Sequence, residues 1–317
     1  MSTYEDVLAG SIVSVICAIG NIMMILVIIG STRIPSMRSS FGMLTINQNL
    51  AEIIPCTACF IVFFFGYTLN WQVVLDYSCI VGGTAMTMLH IILIGFLLIS
   101  LNRLCAILFP IAYNVIFKGK FLASLFVLNW LIPIIACIYI LHFRQCTYAL
   151  VHDGWYFEEY KNEKCGSIMV SYQGTQTPLA LIISFSDLTT LTLLIILRVR
   201  SSTKMHLIMN FRIGYSKLRV LQTRRREMNF ARQVLVQGFV FTMHGFWYAQ
   251  GRELMPTQMS ENWKIFWTSS FSSNLLHVFD PLIVFIFNME FRTWIFGIDR
   301  KQQTKKIVST IGSTSMT

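Results

Sequence analysis

Apolar residues along the chain gather into long unbroken runs. They do not alternate as in a half-buried strand, nor recur every three or four positions as in a helix with one wet face. The runs reach from about Val7 to Ile29, Phe41 to Gly66, Cys79 to Leu101, Phe121 to Leu141, Pro178 to Leu197, Phe230 to Tyr248 and Ile265 to Phe287. A helix needs ~20 residues to cross ~30 Å of hydrocarbon, and each run has about that length. The pattern predicts an all-α membrane protein, a seven-transmembrane helix bundle. The sixth run is the least apolar, holding Arg232, Gln233, Gln237 and His244. Beyond the seventh, Glu290, Arg292, Trp294 and Phe296 mix charge with aromatics, which predicts a short amphipathic helix along the membrane face. The organisation expected is one membrane domain over 1–296 and a disordered cytoplasmic tail over 297–317, rich in Ser, Thr and Lys.

Composition agrees, because 55% of the 317 residues are hydrophobic and 13% charged, against about 25% charged in soluble domains. The net charge of +10 would suggest nucleic acid in a soluble protein. Its distribution excludes that partner and reports topology instead. Taking the runs as alternating crossings puts 20 Lys and Arg on one side and 5 on the other, with nine of the 20 between Arg198 and Arg226. Cytoplasmic loops carry the basic excess, so the amino terminus is expected outside and the carboxyl terminus inside. The first run has no basic leader, and reads as an uncleaved helix.

No GxSxG, HExxH, Gly-rich phosphate loop or paired Cys-x-x-Cys occurs, so no catalytic set, cofactor or metal site is expected and the chain does not read as an enzyme. The chemistry lies in the membrane. An ionisable group at a helix centre costs about 2.5–3.5 kcal/mol on insertion scales, so Glu52, Asp187 and Asp280 must face protein or water. Intramembrane acids also serve transporters and channels, and that reading stands as the alternative. The lack of an inverted repeat weighs against it. An intramembrane enzyme would need a catalytic pair, and Asp187 with Asp280 lacks the flanking pattern of one.

The stretch from Asn102-Arg103 through Pro110 to Tyr113 resembles the Asp-Arg-Tyr region of rhodopsin-like receptors, with the following Ala-Ile and Pro-x-x-Tyr in register. Further segments resemble the nematode serpentine chemoreceptors of class x, Srx. They are Phe41-Gly42-Met43-Leu44, Arg224 to Phe230 with Gln233 and Gln237, His277-x-x-Asp280, and Phe287-Asn288. Trp130, Cys146, Trp155, Phe157 and Cys165 fall at the matching places, so the resemblance covers most of the chain. It implies a chemosensory receptor in the plasma membrane of a sensory neuron. Its partners would be an unidentified small-molecule or peptide ligand, a heterotrimeric G protein and the lipid bilayer.

In rhodopsin-like receptors the arginine corresponding to Arg103 meets the G protein once the helices separate. Read from the sequence alone, Arg103 is either that group or one more basic anchor. Asn102 stands where an acid is usual and cannot hold Arg103 as an ion pair. Glu227, at the base of the sixth run, is the alternative partner or else a solvated acid at a helix start. Asp280-Pro281 resembles the Asn/Asp-Pro-x-x-Tyr of the seventh helix, with Val284 in place of the tyrosine. Proline deletes a backbone hydrogen bond and makes a joint. Glu52 matches the acid of the second helix and Asn21 the polar residue of the first. Together with Asp280 they suggest a buried polar cluster, either a hydrated or cation-holding switch or plain interhelical glue.

Three cysteines fall outside, Cys79, Cys146 and Cys165, and allow three single pairings. The resemblance leans to Cys146–Cys165, with Cys79–Cys165 next. For the ligand, the outer half of the bundle offers His90, His244, Trp247, Tyr248 and Trp267, each of which also suits packing or an interfacial belt. No aspartate lies in the outer third helix, which disfavours a cationic amine. The basic stretch from Arg198 to Arg226 suits an anionic leaflet, a G protein, or both.

Overall fold

A computed structural model describes residues 4–34, 37, 39–117, 119–144, 146, 148–151, 154–159, 165, 172, 174–208 and 215–297, with side chains at 110, 114, 159, 197–232, 234 and 235 left out. The apolar runs form long helices: α1 (Tyr4–Arg33), α2 (Ser40–Thr68), α3 (Ser78–Leu108), α4 (Gly119–Phe143), α5 (Gln176–Ile208), α6 (Tyr215–Leu254) and α7 (Glu261–Phe287). Six of them are long and apolar enough to cross a membrane, α5 through its part Gln176–Ile196. Among the described residues α6 falls short of that mark. Its polar residues explain why: Gln233 is buried, Gln237 is half-buried, and both are spent inside the bundle rather than on lipid.

In lipid every backbone N–H and C=O must be satisfied within the segment, which is why these runs wind into helices. Pro55, Pro133 and Pro281 sit inside α2, α4 and α7, where each removes one N–H donor. α2, α4 and α7 also contain wider π-helical turns, at Val62–Thr68, Tyr139–Phe143 and Trp267–Phe271.

The helices pack α1 on α2 and α7, α2 on α3, α3 on α4 and α5, and α6 between α5 and α7. α1 turns Ile19, Ile22, Ile25 and Ile29 outward, as a lipid-facing stripe should. Inside, one cluster gathers Val13, Met24, Phe63, Trp155 and Phe266, while a second joins Ala51, Ile91, Ile92 and Ile183.

Between α4 and α5 the chain makes an antiparallel hairpin, β1 (Tyr148–Val151) with β2 (Tyr156–Glu159), in register Tyr148 to Glu159. The expected short helix is present as α8 (Met289–Phe296). Asn288 caps it, its Oδ1 accepting from the N–H of Glu290 and of Phe291, both at 3.1 Å. Phe291 is fully buried against α1. A Cβ on Gly30 would lie 2.1 Å from the Phe291 ring, so only glycine admits this docking. The tail beyond Gly297 lies outside the described residues.

Candidate functional site

At the hairpin end, Cys146 and Cys165 are joined, with their Cα atoms 5.5 Å apart, while Cys79 keeps an exposed free thiol. Of the three pairings the sequence left open, the structure takes the one between the class x positions and leaves Cys79 out of it. The hairpin lies within the segment this bond closes, and both cysteines pack against Met86 of α3 and Cys137 of α4. β1 passes directly over α3 at Gly82, where a Cβ would meet the Tyr148 carbonyl oxygen at 2.0 Å. Trp155 follows β1 in the left-handed backbone region, φ 55°. It points inward and is 3% exposed. Its Nε1 donates to Asp6 Oδ1 of α1 at 2.8 Å, and its carbonyl accepts from Ser270 Oγ of α7 at 2.6 Å. Its ring lies 4.8 Å from that of Trp263. Trp155 therefore ties the hairpin to both α1 and α7.

The five candidate ligand residues do not form one set. Trp247 Nε1 donates to the Trp267 carbonyl at 3.2 Å, joining α6 to α7. The Trp267 ring belongs to the aromatic group under the hairpin, 4.5 Å from Phe271. His244 and Tyr248 are neighbours on α6, their rings 6.5 Å apart, but Tyr248 is 54% exposed and faces out of the bundle. His90 lies on the α3–α5 side. Its Nδ1 meets the Met86 carbonyl at 3.1 Å, and its Nε2 meets the Tyr172 carbonyl and Thr175 Oγ1, both at 3.2 Å. The Tyr172 ring covers the imidazole at 3.9 Å.

Deeper in the bundle is the polar cluster. Glu52 is 2% exposed, its Oε1 accepting from Gln48 Nε2 at 2.8 Å and its Oε2 lying 3.8 Å from His277 Nδ1. Cys17 Sγ donates to Asn274 Oδ1 at 3.1 Å beside it. Asn21 Oδ1 accepts from Thr57 Oγ1 of α2 at 3.2 Å.

The layer toward the far end of α3 is where Arg103 sits. The guanidinium does not reach solvent; the residue is 2% exposed and its Cζ lies 5.3 Å over the Phe41 ring. Arg103 Nη2 donates to Gln237 Oε1 at 3.2 Å, and Gln237 Nε2 in turn donates to Asp280 Oδ1. A single amide thus bridges α3, α6 and α7, and Asp280 precedes the proline of α7. A cavity of about 10 Å³ bounded by Phe41, Gln48, Arg103, Gln237 and Asp280 lies alongside, at the lower limit for one water molecule. One turn along α3, Ser100 Oγ donates to Asp187 Oδ1 at 2.7 Å, which gives the α5 acid its partner. Asn102 is buried, facing protein rather than solvent.

Gln237 appeared in the sequence as a polar residue of the least apolar run and as one of the positions matching class x, with nothing to mark it as a bridge. Glu227, the partner the sequence suggested, lies ten residues back along α6, about 15 Å from Gln237 at 1.5 Å per residue. Its side chain is outside those described. Asn47 Oδ1 accepts from Trp130 Nε1 at 2.8 Å and ties α2 to α4, a pairing across 83 residues with no local sequence signal.

A family model described as "Serpentine type 7TM GPCR chemoreceptor Srx" matches residues 14–288. Serpentine receptor class X-43 of Caenorhabditis elegans is 38% identical over 311 residues, covering 98% of this chain and 93% of that protein. Serpentine receptor class X 45 of the same organism is 24% identical over 225 residues, covering 68% of this chain and 59% of that protein. The fold is similar to the crystal structure of squid rhodopsin, with a TM-score of 0.70, 18% identity, and coverage of 95% of this chain and 90% of that one. With a rhodopsin-like bundle, a family match over nearly its whole length and a 38% identical relative, the chain belongs to the serpentine Srx family of G-protein-coupled chemosensory receptors.

Proposed function

We propose that the receptor lies in the plasma membrane of a sensory neuron with its amino terminus outside. In this reading it detects an external small molecule or peptide and engages a heterotrimeric G protein through Arg103. The carrying observation is the Arg103–Gln237–Asp280 bridge. While Gln237 and Phe41 hold the guanidinium inside the bundle, no partner protein can touch it. Separation of α6 from α3 breaks the bridge and frees a planar cation suited to a partner's carbonyls or carboxylates. A cue that binds the separated arrangement more tightly then shifts the population toward it.

Two observations support the orientation. Trp155 is bonded to Asp6, so the start of α1 and the disulfide-held hairpin share one end of the bundle. Disulfides persist in oxidising compartments, so that end faces outside. The 20-to-5 division of basic residues gives the same answer independently. Because Trp155 reaches α1 and α7 at once, the hairpin is the roof of the ligand chamber. Trp247, Trp267 and His244 form its wall beneath. The transport alternative gains nothing from the geometry, since Glu52, Asp187 and Asp280 are each engaged by a side chain of a neighbouring residue or helix.

The test uses full-length receptor in lipid nanodiscs, mixed with purified G-protein heterotrimers of several subtypes, with nucleotide exchange measured against empty nanodiscs. Exchange faster than the empty discs with at least one subtype supports the reading. No acceleration with any subtype, together with proton or cation flux in proteoliposomes, would overturn it.

A further inference from the structure

A cavity of about 450 Å³ lies between α3 and α4 at the hairpin end, under strand β1 and open to the side. We propose that this cavity is a binding site for an uncharged, lipophilic small molecule that enters sideways from the bilayer. Its walls are Gly83, Thr84 and Thr87 of α3 with Cys137 and Leu141 of α4, and Tyr148 of β1 forms the roof. Its lining shares no residue with the aromatic group under Trp155, so it is distinct from the ligand chamber proposed there.

The position sets the route. From Cys79 to Met88 the α3 part of the site spans about 13.5 Å, just under half of a hydrocarbon core of ~30 Å. The cavity is therefore confined to the leaflet on the hairpin side. Its rim is lipid-facing, since the lining residue Ile80 is 63% exposed. A ligand dissolved in the membrane reaches this opening without passing the hairpin.

The lining sets the chemistry. None of the described lining residues carries a charge. The two threonine hydroxyls donate within their own helix, Thr84 Oγ1 to the Ile80 carbonyl and Thr87 Oγ1 to the Gly83 carbonyl, both at 2.8 Å. Cys137 Sγ likewise faces the Gly83 carbonyl at 3.6 Å. What remains for an occupant is methyl groups, sulfur and the Tyr148 side chain, an aromatic ring with one uncharged hydroxyl. A charged molecule would lose its hydration there with no return, whereas an apolar one loses nothing. The volume falls within the ~300–1,000 Å³ typical of small-molecule sites. Gly83 lets the Leu141 side chain close the α3–α4 side of the site, since a Cβ there would come 2.6 Å from Leu141 Cδ1.

An occupant would also touch the rest of the hairpin end. Behind the wall, Cys137 and Cys146 pack with Cys165, Met86 and Tyr172, and Tyr172 covers His90. The site thus abuts the disulfide that anchors the hairpin. The proposal goes beyond the receptor reading by adding a second site, with its own ligand class, beside the ligand chamber. Its test reads binding rather than signalling, so either can fail alone.

The experiment is photolabelling of the full-length receptor in nanodiscs with an uncharged, alkyne-tagged trifluoromethylphenyl diazirine, with labelled residues mapped by mass spectrometry. Expected is saturable labelling at Ile80–Met88 and Cys137–Leu141, competed by the untagged phenyl compound and not by a trimethylammonium analogue of the same size. Thr84→Phe, which fills the cavity from its rim, should reduce labelling about tenfold, and Gly83→Leu similarly. Should both variants fail to reach the membrane, saturation and competition on the wild type decide. Labelling that rises linearly with probe, or that matches lipid-exposed Ile135 and ignores Thr84→Phe, would overturn the site. Competition by the cationic analogue would overturn the ligand class. Saturable labelling of the same residues by a phospholipid with a diazirine in its acyl chain, undiminished by the small competitor, would make the occupant a bilayer lipid and also overturn the proposal.

Discussion

Gln237→Leu is the substitution that most directly unlinks α3, α6 and α7. Leucine fills nearly the same volume, so Arg103 and Asp280 stay apart, but the acceptor at 3.2 Å from Arg103 Nη2 and the donor to Asp280 are both removed. Hydrogen bonds between membrane helices average about 0.6 kcal/mol in double-mutant cycles, well under the 1–2 kcal/mol of model peptides. Two such bonds made only in the closed arrangement give about 1.2 kcal/mol, which at RT of about 0.59 kcal/mol is roughly an eightfold shift in population. If only one of them differs between the two arrangements, the shift falls to about threefold. A receptor active about 1% of the time without ligand would then be active about 3–8% of the time. The assay is ligand-free second-messenger output at matched surface density, wild type against Gln237→Leu. A three- to eightfold rise is expected. Unchanged or lowered output at equal density would refute the bridge as a restraint.

Three further outcomes follow from the same geometry. Cys165→Ala should lower surface expression, since a disulfide closing a loop of this size is typically worth 2–4 kcal/mol; wild-type expression measured by surface biotinylation would show that the hairpin needs no staple. Trp155→Ala removes a buried aromatic and its bond to Asp6, and losses of about 3–5 kcal/mol for such truncations should lower the thermal midpoint of the detergent-solubilised receptor; an unchanged midpoint would contradict its place as the tie between hairpin, α1 and α7. An epitope at Met1 should bind antibody on intact cells and one at Thr317 only after permeabilisation, and labelling of both ends on the same side would break the odd-crossing topology.

The helices were legible because lipid imposes one rule on every segment, so long apolar runs have a single outcome and their ends need only length. The short helix after the seventh run was legible for a related reason, its mixed aromatic and charged residues fitting an interface. Less legible was α6, whose inward-facing glutamines dilute its apolarity. Among the site residues, Glu52, Arg103 and Asp280 stood out because charge inside a membrane is costly. Gln237, Asn47 and Gln48 did not, since an amide costs less to insert and its partners lie on other helices, at separations no local pattern encodes. The ligand residues were the least legible. Aromatic side chains at the outer end serve as belt, packing or pocket with the same composition, and only the fold separates Trp267 under the hairpin from Tyr248 on the outside. Cys79 illustrates the same limit, since its place at the top of α3 suits a disulfide but the geometry gives that bond to Cys146 and Cys165.

Arg103→Ala separates signalling from folding and from ligand capture, because the residue lies at the end of α3 remote from the hairpin. Measured on cells exposed to an activating extract at equal surface density, Arg103→Ala should abolish the second-messenger response while surface expression stays near wild type. A normal response from that variant would contradict coupling through this arginine and reopen the transport reading.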